Sequence, residues 1–477
     1  MIARPVVWLL VLAGLLPTAP EGVQAPLPAV QPREDVAAAG EIEALVALGR
    51  FEDALEHAAA RGDNFESSPA LRGAVGGALF RAGRLDAAEA MLAPLANEPE
   101  ASARGLIALA RLRAAAGRHD EAASLGARAL ERGGNDDPWV LFWAAECVAD
   151  RDLAIELLER YLALNPRGQD DWIEAARGTL ELQAALGDRG VWIPTNVPER
   201  VVVPLRLVWD DHGRKLGYVV EARIGPKDKP VKLMLDTGST GLFLVERMAR
   251  KRGFEFLARE TAFGGGGDKR HANRRGLFST FRLGELRFSS ALAGTTRTEL
   301  EPYGRYHGLL GIQALAGYRA ELDLDAQQLT LTRMDETGEG SGGEPFWMVS
   351  GQMLVQARAD SGDPGLFLFD TGATWSILSS RYASTIAGVH SEPTTGVRGF
   401  GGSVEGASIV RGTAVRFAGR TSGESGLRSF DMSVRSAVGG VEVSGFIGLD
   451  VLDRVRITID TVRQRIRVEA ARKRGSP

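Results

Sequence analysis

The chain has 477 residues, with 57 Lys and Arg against 61 Asp and Glu and a formal net charge of −4. This length exceeds that of one ordinary domain, and the apolar content of 44% is enough for buried cores. Because the cationic residues are interspersed with acidic ones, no basic stripe is available for a phosphate backbone, which argues against nucleic-acid binding. With one cysteine the chain cannot form an internal disulfide, so the fold depends on packing.

The first 25 residues have the pattern of a secretory signal peptide. Arg4 precedes an apolar run from Val6 to Leu16, and small residues then lead to an A-x-A-like site at Val23-Gln24-Ala25. The apolar run is shorter than the roughly 20 residues that span a bilayer. We therefore expect residues 1–25 to direct export to the periplasm or the medium. The alternative is an uncleaved signal anchor, which would attach the chain to a membrane.

From residue 34 to residue 190, apolar residues recur at three- and four-residue spacing, which predicts helices. A Gly-Arg-x-Asp/Glu-x-Ala element begins at Gly49, again at Gly83 and again at Gly117, so the two steps between its copies are equal. We expect each glycine to end one helix in the left-handed conformation, and the acidic residue to lie in the first turn of the next helix. A degenerate fourth unit covers residues 152–166.

The constant step between these glycines resembles the period of tetratricopeptide repeats, which is about 34 residues. This resemblance implies a solenoid that binds a peptide or a protein partner. A spacer or capping lobe that only stabilises its neighbour fits the same pattern. Cys147 lies in an apolar helical segment of this region, so we expect its thiol to be buried and unreactive.

Near Trp192 the helical pattern gives way to Val-rich segments, and short strand-like stretches continue to about residue 470. Four landmarks occur twice here in the same order. They are Asp-Thr-Gly (236–238 and 370–372), a glycine-rich segment (264–267 and 399–402), an apolar-apolar-Gly segment (309–311 and 446–448) and an apolar-Asp pair (322–323 and 459–460). The last two landmarks recur at one common offset, and the Asp-Thr-Gly motifs recur at nearly the same one. The sequence therefore predicts two related β lobes, at residues 196–336 and 344–470, joined by a glycine-rich connector.

Each lobe resembles a subunit of the retropepsin-like aspartic proteases. The resemblance consists of an apolar strand, an Asp-Thr-Gly-Ser/Ala motif, a glycine-rich flap and an apolar-apolar-Gly segment, in that order. Two copies in one chain are similar to the arrangement in pepsin. The predicted protein is multidomain, with an all-α helical-repeat region followed by an all-β, two-lobed acid-protease fold. The resemblance implies that Asp236 and Asp370 are a catalytic pair that shares one proton and activates water for peptide hydrolysis, without a metal or organic cofactor.

The same resemblance assigns supporting roles around the two aspartates. The catalytic-loop residues are Thr237, Gly238, Ser239, Thr371, Gly372 and Ala373, and the flap or substrate-binding candidates are Gly264, Gly265, Gly266, Gly267, Gly399, Phe400, Gly401 and Gly402. The two threonines are expected to bond the loops to each other, and the glycines of the loops to allow close backbone approach. Ser239 can donate a hydroxyl hydrogen bond to its aspartate, whereas Ala373 cannot.

Two positions differ from relatives that share the pattern. Several retropepsins have an arginine directly after the apolar-apolar-Gly segment, where this chain has Ile312 and Leu449. Neither flap candidate has the tyrosine of pepsin flaps, which favours the retropepsin-like side of the superfamily.

Other functions fit the sequence less well. A single Asp-Thr-Gly also fits an ordinary turn, but a turn requires neither a flap nor a distant glycine segment. The six histidines and one cysteine show no metal-binding spacing. The alternative function is a catalytically silent, protease-like domain that binds peptides within a scaffold protein. The expected partners are a peptide or protein substrate and a protein partner on the repeats.

Overall fold

The computed structural model describes residues 34–60, 68–148, 150–263, 270–297, 305–334, 342–360, 362–395, 397–399, 402–422, 426–452 and 454–470. The predicted signal segment, the first glycine run Gly264–Gly267, and Phe400 and Gly401 of the second flap candidate lie outside these residues. The chain divides into two compact units, the first ending at Gln169 and the second beginning at Asp170.

The first unit is helical, as predicted. Its described α-helices are α1 (Glu34–Ala47), α2 (Phe51–Ala59), α3 (Pro69–Arg81), α4 (Leu85–Leu92), α5 (Ala103–Ala115), α6 (His119–Glu131), α7 (Pro138–Cys147) and α8 (Arg151–Ala163), with short 3₁₀ helices at Ala93–Asn97 and Gly134–Asp136. Consecutive helices contact each other in pairs, α1 with α2 through α7 with α8.

The repeated glycines separate the helices of a pair. Gly49, Gly83 and Gly117 have φ values of 73°, 76° and 77°, in the left-handed region that glycine adopts without a Cβ clash. The next helix begins two residues later in each case and carries acidic residues in its first turn. A left-handed glycine followed by a helix start depends only on neighbouring residues, so the sequence could predict it. The assignment of these helices to the tetratricopeptide class stays a prediction.

The prediction that Cys147 is buried is confirmed. Burial raises the pKa of its thiol to about 12, so the thiolate is strongly disfavoured at neutral pH.

A ninth described helix, α9 (Asp170–Leu186), belongs to the second unit. Leu186 is part of the core of that unit and Leu182 packs against it. The backbone N–H of Arg259 also donates to the Glu181 carboxylate at 3.3 Å. The second unit therefore begins at residue 170, although the helical sequence pattern continues to residue 190.

The second unit is mostly β-sheet after α9, which confirms the predicted change of fold class. The first lobe contains β1 (Ile193–Asn196), β2 (Arg200–Pro204), β3 (Arg206–Trp209), β4 (Lys215–Ile224), β5 (Lys229–Leu235), β6 (Leu242–Val245), α10 (Glu246–Lys251), β7 (Glu255–Phe263), β8 (Arg270–Leu283), β9 (Leu286–Thr296), β10 (Gly308–Leu310), a 3₁₀ helix (Ile312–Leu315), β11 (Tyr318–Asp323) and β12 (Gln328–Arg333).

The second lobe repeats this plan with shorter strands. It contains β13 (Glu344–Val349), β14 (Gln352–Ala359), β15 (Gly365–Phe369), β16 (Ile377–Ser379), α11 (Ser380–Ser384), β17 (His390–Pro393), β18 (Arg398–Gly399), β19 (Gly402–Ser403), β20 (Ser408–Arg411), β21 (Val415–Phe417), β22 (Arg420–Thr421), β23 (Leu427–Phe430), α12 (Ser433–Gly439), β24 (Gly445–Ile447), β25 (Val455–Asp460) and β26 (Arg465–Ala470).

The two lobes have the same strand arrangement around their Asp-Thr-Gly motifs. In the first lobe, β10 lies parallel to β5 and antiparallel to β6. In the second, β24 lies parallel to β15 and antiparallel to β16. The apolar-apolar-Gly segment of each copy therefore runs between the strand that precedes the motif and the strand that follows it.

A shared sheet joins the lobes. Strand β11 of the first lobe pairs antiparallel with β25 of the second, with Ala320 opposite Ile459 and Leu322 opposite Ile457. All four of these side chains are fully or almost fully buried. One continuous hydrophobic core includes residues of both lobes. No helix formed by the described residues is long and apolar enough to cross a membrane.

Candidate active site

The backbone of each aspartate is held by the apolar-apolar-Gly strand beside it. The N–H of Asp236 donates to the carbonyl of Leu310, and the N–H of Asp370 donates to the carbonyl of Ile447, both at 3.0 Å. The Asp-Thr-Gly turns thus begin where strands β5 and β15 end, and the neighbouring strand sets the position of each turn.

Thr237 and Thr371 bond the two turns to each other. The N–H of Thr237 donates to Oγ1 of Thr371 at 3.2 Å, and the N–H of Thr371 donates to Oγ1 of Thr237 at 3.0 Å. Each hydroxyl also donates across the lobes, from Thr237 to the carbonyl of Phe369 at 2.6 Å and from Thr371 to that of Leu235 at 2.8 Å. Both side chains are 1% exposed, so water cannot replace these bonds.

The two carboxyl groups face each other across the glycines of the opposite motif. A Cβ placed on Gly238 would lie 2.7 Å from Cγ of Asp370, and one placed on Gly372 would lie 2.7 Å from Cγ of Asp236. A side-chain hydrogen bond joins the two carboxyls. The reciprocal approach requires glycine at both positions, because any Cβ would occupy the space of a carboxyl group.

Backbone N–H groups hold each carboxyl in its turn. Oδ1 of Asp236 accepts from the N–H of Gly238 at 3.0 Å. Oδ1 of Asp370 accepts from the N–H groups of Gly372 at 2.8 Å and Ala373 at 3.1 Å. Ser239 contacts Asp236 through its backbone N–H. The hydroxyl bond that distinguishes Ser239 from Ala373 stays a prediction.

Both aspartates titrate above their usual range. Burial, followed by the charge of Asp370, raises the pKa of Asp236 well above its ordinary value. Burial also raises the pKa of Asp370, while the hydrogen bond from Asp236, the N–H of Gly372 and the charge of Arg435 oppose this rise. Two adjacent buried carboxylates repel each other strongly, so the pair retains one proton between its two ionisations.

The raised pKa of Asp236 predicts a pH-dependent gain in stability for the variant Asp236→Asn. Between the ordinary aspartate pKa of about 3.9 and the raised folded-state pKa, the folded protein binds more protons than the unfolded chain. The stability of the wild type therefore falls as the pH rises through this window. The asparagine does not titrate there, so we expect its free energy of unfolding relative to wild type to increase as the pH rises above about 4.

Chemical denaturation at several pH values measures this difference. The matched control is Asp325→Asn, because the side chain of Asp325 is exposed in the turn between β11 and β12. A difference between Asp236→Asn and wild type that stays constant with pH would contradict the raised pKa.

Two polar features of the second lobe were not identified from the sequence. The N–H and the hydroxyl of Ser376 each donate to Oδ1 of Asp450 at 2.7 Å, and the N–H of Gly448 donates to Oγ of Ser376 at 3.0 Å. This network fixes β24 behind Asp370. One signal in the sequence could have indicated this network: Asp450 of the second copy corresponds to Gln313 of the first, so the two copies differ at this position.

The second feature is Arg435, on α12. The charge of its guanidinium interacts electrostatically with both Asp370 and Asp236.

The flap candidates lie between paired strands. Phe263 at the end of β7 is opposite Arg270 at the start of β8, and these residues flank the first glycine run. In the second lobe Gly399 is opposite Gly402 in the short hairpin β18–β19. Among the residues that the structure describes, no group of three or more His, Cys, Asp or Glu is arranged to hold a metal ion.

Comparison with known protein families agrees with this class of fold. Residues 220–314 match the family model described as aspartyl protease, a range that includes the first Asp-Thr-Gly motif and β10. A solved structure that the chain resembles is the crystal structure of an aspartic proteinase from Irpex lacteus, with 14% identity, a TM-score of 0.36 and coverage of 57% of this chain and 98% of that chain. No curated protein matches the chain.

The family match covers part of the first lobe. The mostly β-sheet region is consistent with an aspartic protease fold, and a helical region precedes it. The second Asp-Thr-Gly motif lies outside the matched range, and the repeated strand arrangement in both lobes relates it to the first.

Proposed function

We propose that the chain is an aspartic endopeptidase of the retropepsin-like type that hydrolyses peptide bonds with water activated between Asp236 and Asp370. The observation that carries this proposal is the reciprocal approach of the two carboxyls over Gly238 and Gly372. A structural turn does not need this approach, and it is costly because burial disfavours the charged form of both groups. Costly buried carboxyl pairs are typical of sites that use them for proton transfer.

The proposed reaction needs one proton on the pair. The ionised carboxylate takes a proton from water as the water oxygen attacks the peptide carbonyl carbon. The protonated carboxyl donates its proton to the carbonyl oxygen, which gives a neutral tetrahedral diol. The diol collapses when one of its hydroxyls gives its proton to the ionised carboxylate and the protonated carboxyl gives its proton to the amide nitrogen. The C–N bond then breaks to leave a carboxylic acid and an amine, and the pair again holds one proton. No cofactor enters any of these steps.

The test is hydrolysis of unstructured peptides by the purified full chain across acidic and neutral pH, with asparagine variants of the pair as controls. Peptide fragments that form with the wild type and not with the variants support the proposal. A folded chain that binds peptides and leaves them intact would instead support the catalytically silent scaffold.

We also propose that the chain is exported, on the basis of its signal-like first 25 residues, and that the helical unit recruits a protein substrate or partner. The structure sharpens the test of recruitment, because a truncation must keep α9 with the β core. We expect removal of residues 34–169 to leave cleavage of a short peptide unchanged and to lower kcat/KM for a protein substrate by about tenfold.

The control truncation removes residues 34–190 and therefore also deletes α9. We expect this version to lose thermal stability, because Leu186 leaves the core. Recruitment is wrong if the chain without residues 34–169 cleaves the protein substrate as fast as the full chain does.

A further inference from the structure

The loops that follow the two Asp-Thr-Gly motifs differ in the bulk and charge of the residues beside them. In the second lobe, Cζ of Arg428 lies 4.9 Å from the ring centroid of Trp375, a distance at which the ring face attracts a cation. At the offset that relates the two motifs, the first lobe has Gly294 and Gly241. The pairings of β16 with β23 and of β6 with β9 also place Arg428 and Gly294 at equivalent positions. One lobe thus carries a cation on an aromatic ring where the other carries two glycines.

The backbone of Trp375 is held by the segment that lies behind Asp370. A Cβ placed on Gly448 would lie 2.5 Å from the carbonyl carbon of Trp375, so the apolar-apolar-Gly segment packs directly against this residue. Trp375 is five residues after Asp370. Five residues span at most about 18 Å, and an extended peptide advances about 3.3 Å per residue. The ring therefore lies within about five substrate residues of a peptide bond held at the pair.

A hairpin of the first lobe reaches the same loop. The hydroxyl of Thr374 donates to the carbonyl of Lys215, at the start of β4, at 3.1 Å. Nζ of Lys215 lies 5.9 Å from the ring centroid of Trp209, which is exposed at the end of β3. Cationic and aromatic side chains of both lobes therefore lie beside the loop that carries Asp370. We call Trp209, Lys215, Trp375 and Arg428 the cross-lobe cluster.

The corresponding hairpin of the second lobe is shorter. Strand β14 precedes and pairs with β15 as β4 precedes and pairs with β5. The tip of β13–β14 consists of Ser350 and Gly351, whereas residues 210–214 form the tip of β3–β4. The carbonyl of Gly351 accepts a bond from Gln313, so this tip also contacts the opposite lobe, but it carries no charged side chain. The cations therefore belong to one of two otherwise related contacts between the lobes.

The charged groups near Arg428 are engaged with other residues. Arg428 forms no ion pair with any residue that the structure describes. Burial lowers its pKa, the charge of Asp450 opposes this effect, and the charge of Arg214 adds to it. Oδ1 of Asp450 already accepts two bonds from Ser376, and Nε of Arg214 donates to Asp210 at 2.6 Å. A half-buried guanidinium in this setting gains from a carboxylate ligand.

We propose that the cross-lobe cluster is a substrate subsite for an acidic side chain, with Arg428 as its specificity-determining residue. This proposal rests on the proposed peptidase function and names the class of peptide that the site prefers. The planar guanidinium, fixed on the ring of Trp375, matches the two oxygens of a glutamate or aspartate. Lys215 adds a positive charge from the opposite lobe. The preferred substrates are peptides with an acidic residue on one side of the scissile bond.

The test measures kcat/KM for pairs of peptides that differ by Glu or Gln, placed in turn at each of about five positions on either side of the scissile bond. The assay is run above about pH 5, where glutamate is ionised. At one position we expect the wild type to prefer Glu by about tenfold. Arg428→Gln should bring this ratio to about one, and Arg428→Glu should favour a Lys peptide over the Gln peptide. Arg411→Gln is the matched control, because this arginine of the neighbouring strand β20 pairs with Glu392 at 3.2 Å, and the variant should keep the wild-type ratio.

A purely structural role for Arg428 would lower kcat/KM for both peptides of a pair alike, so an unchanged ratio in Arg428→Gln overturns the inference. A wild type that cleaves peptides without preferring Glu at any position also overturns it and leaves the peptidase proposal intact. If Arg428→Gln does not fold, the wild type decides, because the preference for Glu should shrink as salt is raised to about 1 M. A preference that salt does not change contradicts an ion pair. A wild type that cleaves no peptide overturns the peptidase proposal and the subsite with it.

Discussion

Replacement of Asp236 or Asp370 by asparagine is expected to lower kcat/KM for peptide hydrolysis by about a thousandfold or more. Asparagine cannot accept the proton of water, and it cannot share a proton with the remaining carboxyl. The fold should survive. In the wild type, Oδ1 of Asp370 accepts hydrogen bonds from the N–H groups of Gly372 and Ala373, and the amide oxygen of an asparagine at position 370 can accept the same bonds.

Kinetics with a fluorogenic peptide measures this loss, and thermal unfolding shows whether each variant is folded. Asp325→Asn is the matched control, with the same chemical change on an exposed turn, and should retain wild-type activity. A folded Asp236→Asn or Asp370→Asn that keeps more than about a tenth of the wild-type rate would contradict general acid–base catalysis by the pair.

Substitution of either loop glycine by alanine is expected to reduce activity by about a hundredfold or more. The new methyl group on residue 372 would lie 2.7 Å from Cγ of Asp236, and that on residue 238 equally close to Cγ of Asp370. Carbon atoms in contact prefer about 3.5–4.0 Å, so one carboxyl must move away. The hydrogen bond between the carboxyls would lengthen or break.

Comparison of these alanine variants with the wild type tests the contact between the two loops. Neither Gly238 nor Gly372 has a positive φ, so alanine adds no backbone strain. Gly40→Ala is the control, because a Cβ there meets no atom within 4 Å. Crystal structures of the variants should show the carboxyls further apart. Wild-type activity in both alanine variants would mean that the two loops do not approach as described.

Features that depend on local sequence could be predicted well. The left-handed glycines at 49, 83 and 117 follow from a short motif and its period, so the helix starts after them were predictable. The duplication of the β lobes could also be read from the sequence, because each landmark is a short motif with a local structural role, such as the tight turn at Gly238. The pairing of the two Asp-Thr-Gly motifs was expected from the resemblance of each lobe to the retropepsin-like proteases.

Several features that depend on contacts between distant segments could not be predicted, in contrast to the bonds between Thr237 and Thr371. The pattern of α9 is helical, and only its packing against the core places it with the β unit. Arg435 is far from Asp370 in the sequence, and its position depends on the packing of α12. The register of β11 with β25 is likewise a tertiary property, since alternating apolar residues permit several registers.

The most direct test of the central claim is the activity of Asp236→Asn, Asp370→Asn and the double variant, measured as kcat/KM on one peptide. Residues that act as a unit show non-additive losses, because the loss of either removes the function of both. If the two carboxyls form one catalytic pair, each single variant should be as inactive as the double variant. Substantial activity in either single variant, or losses that multiply in the double variant, would contradict a shared pair.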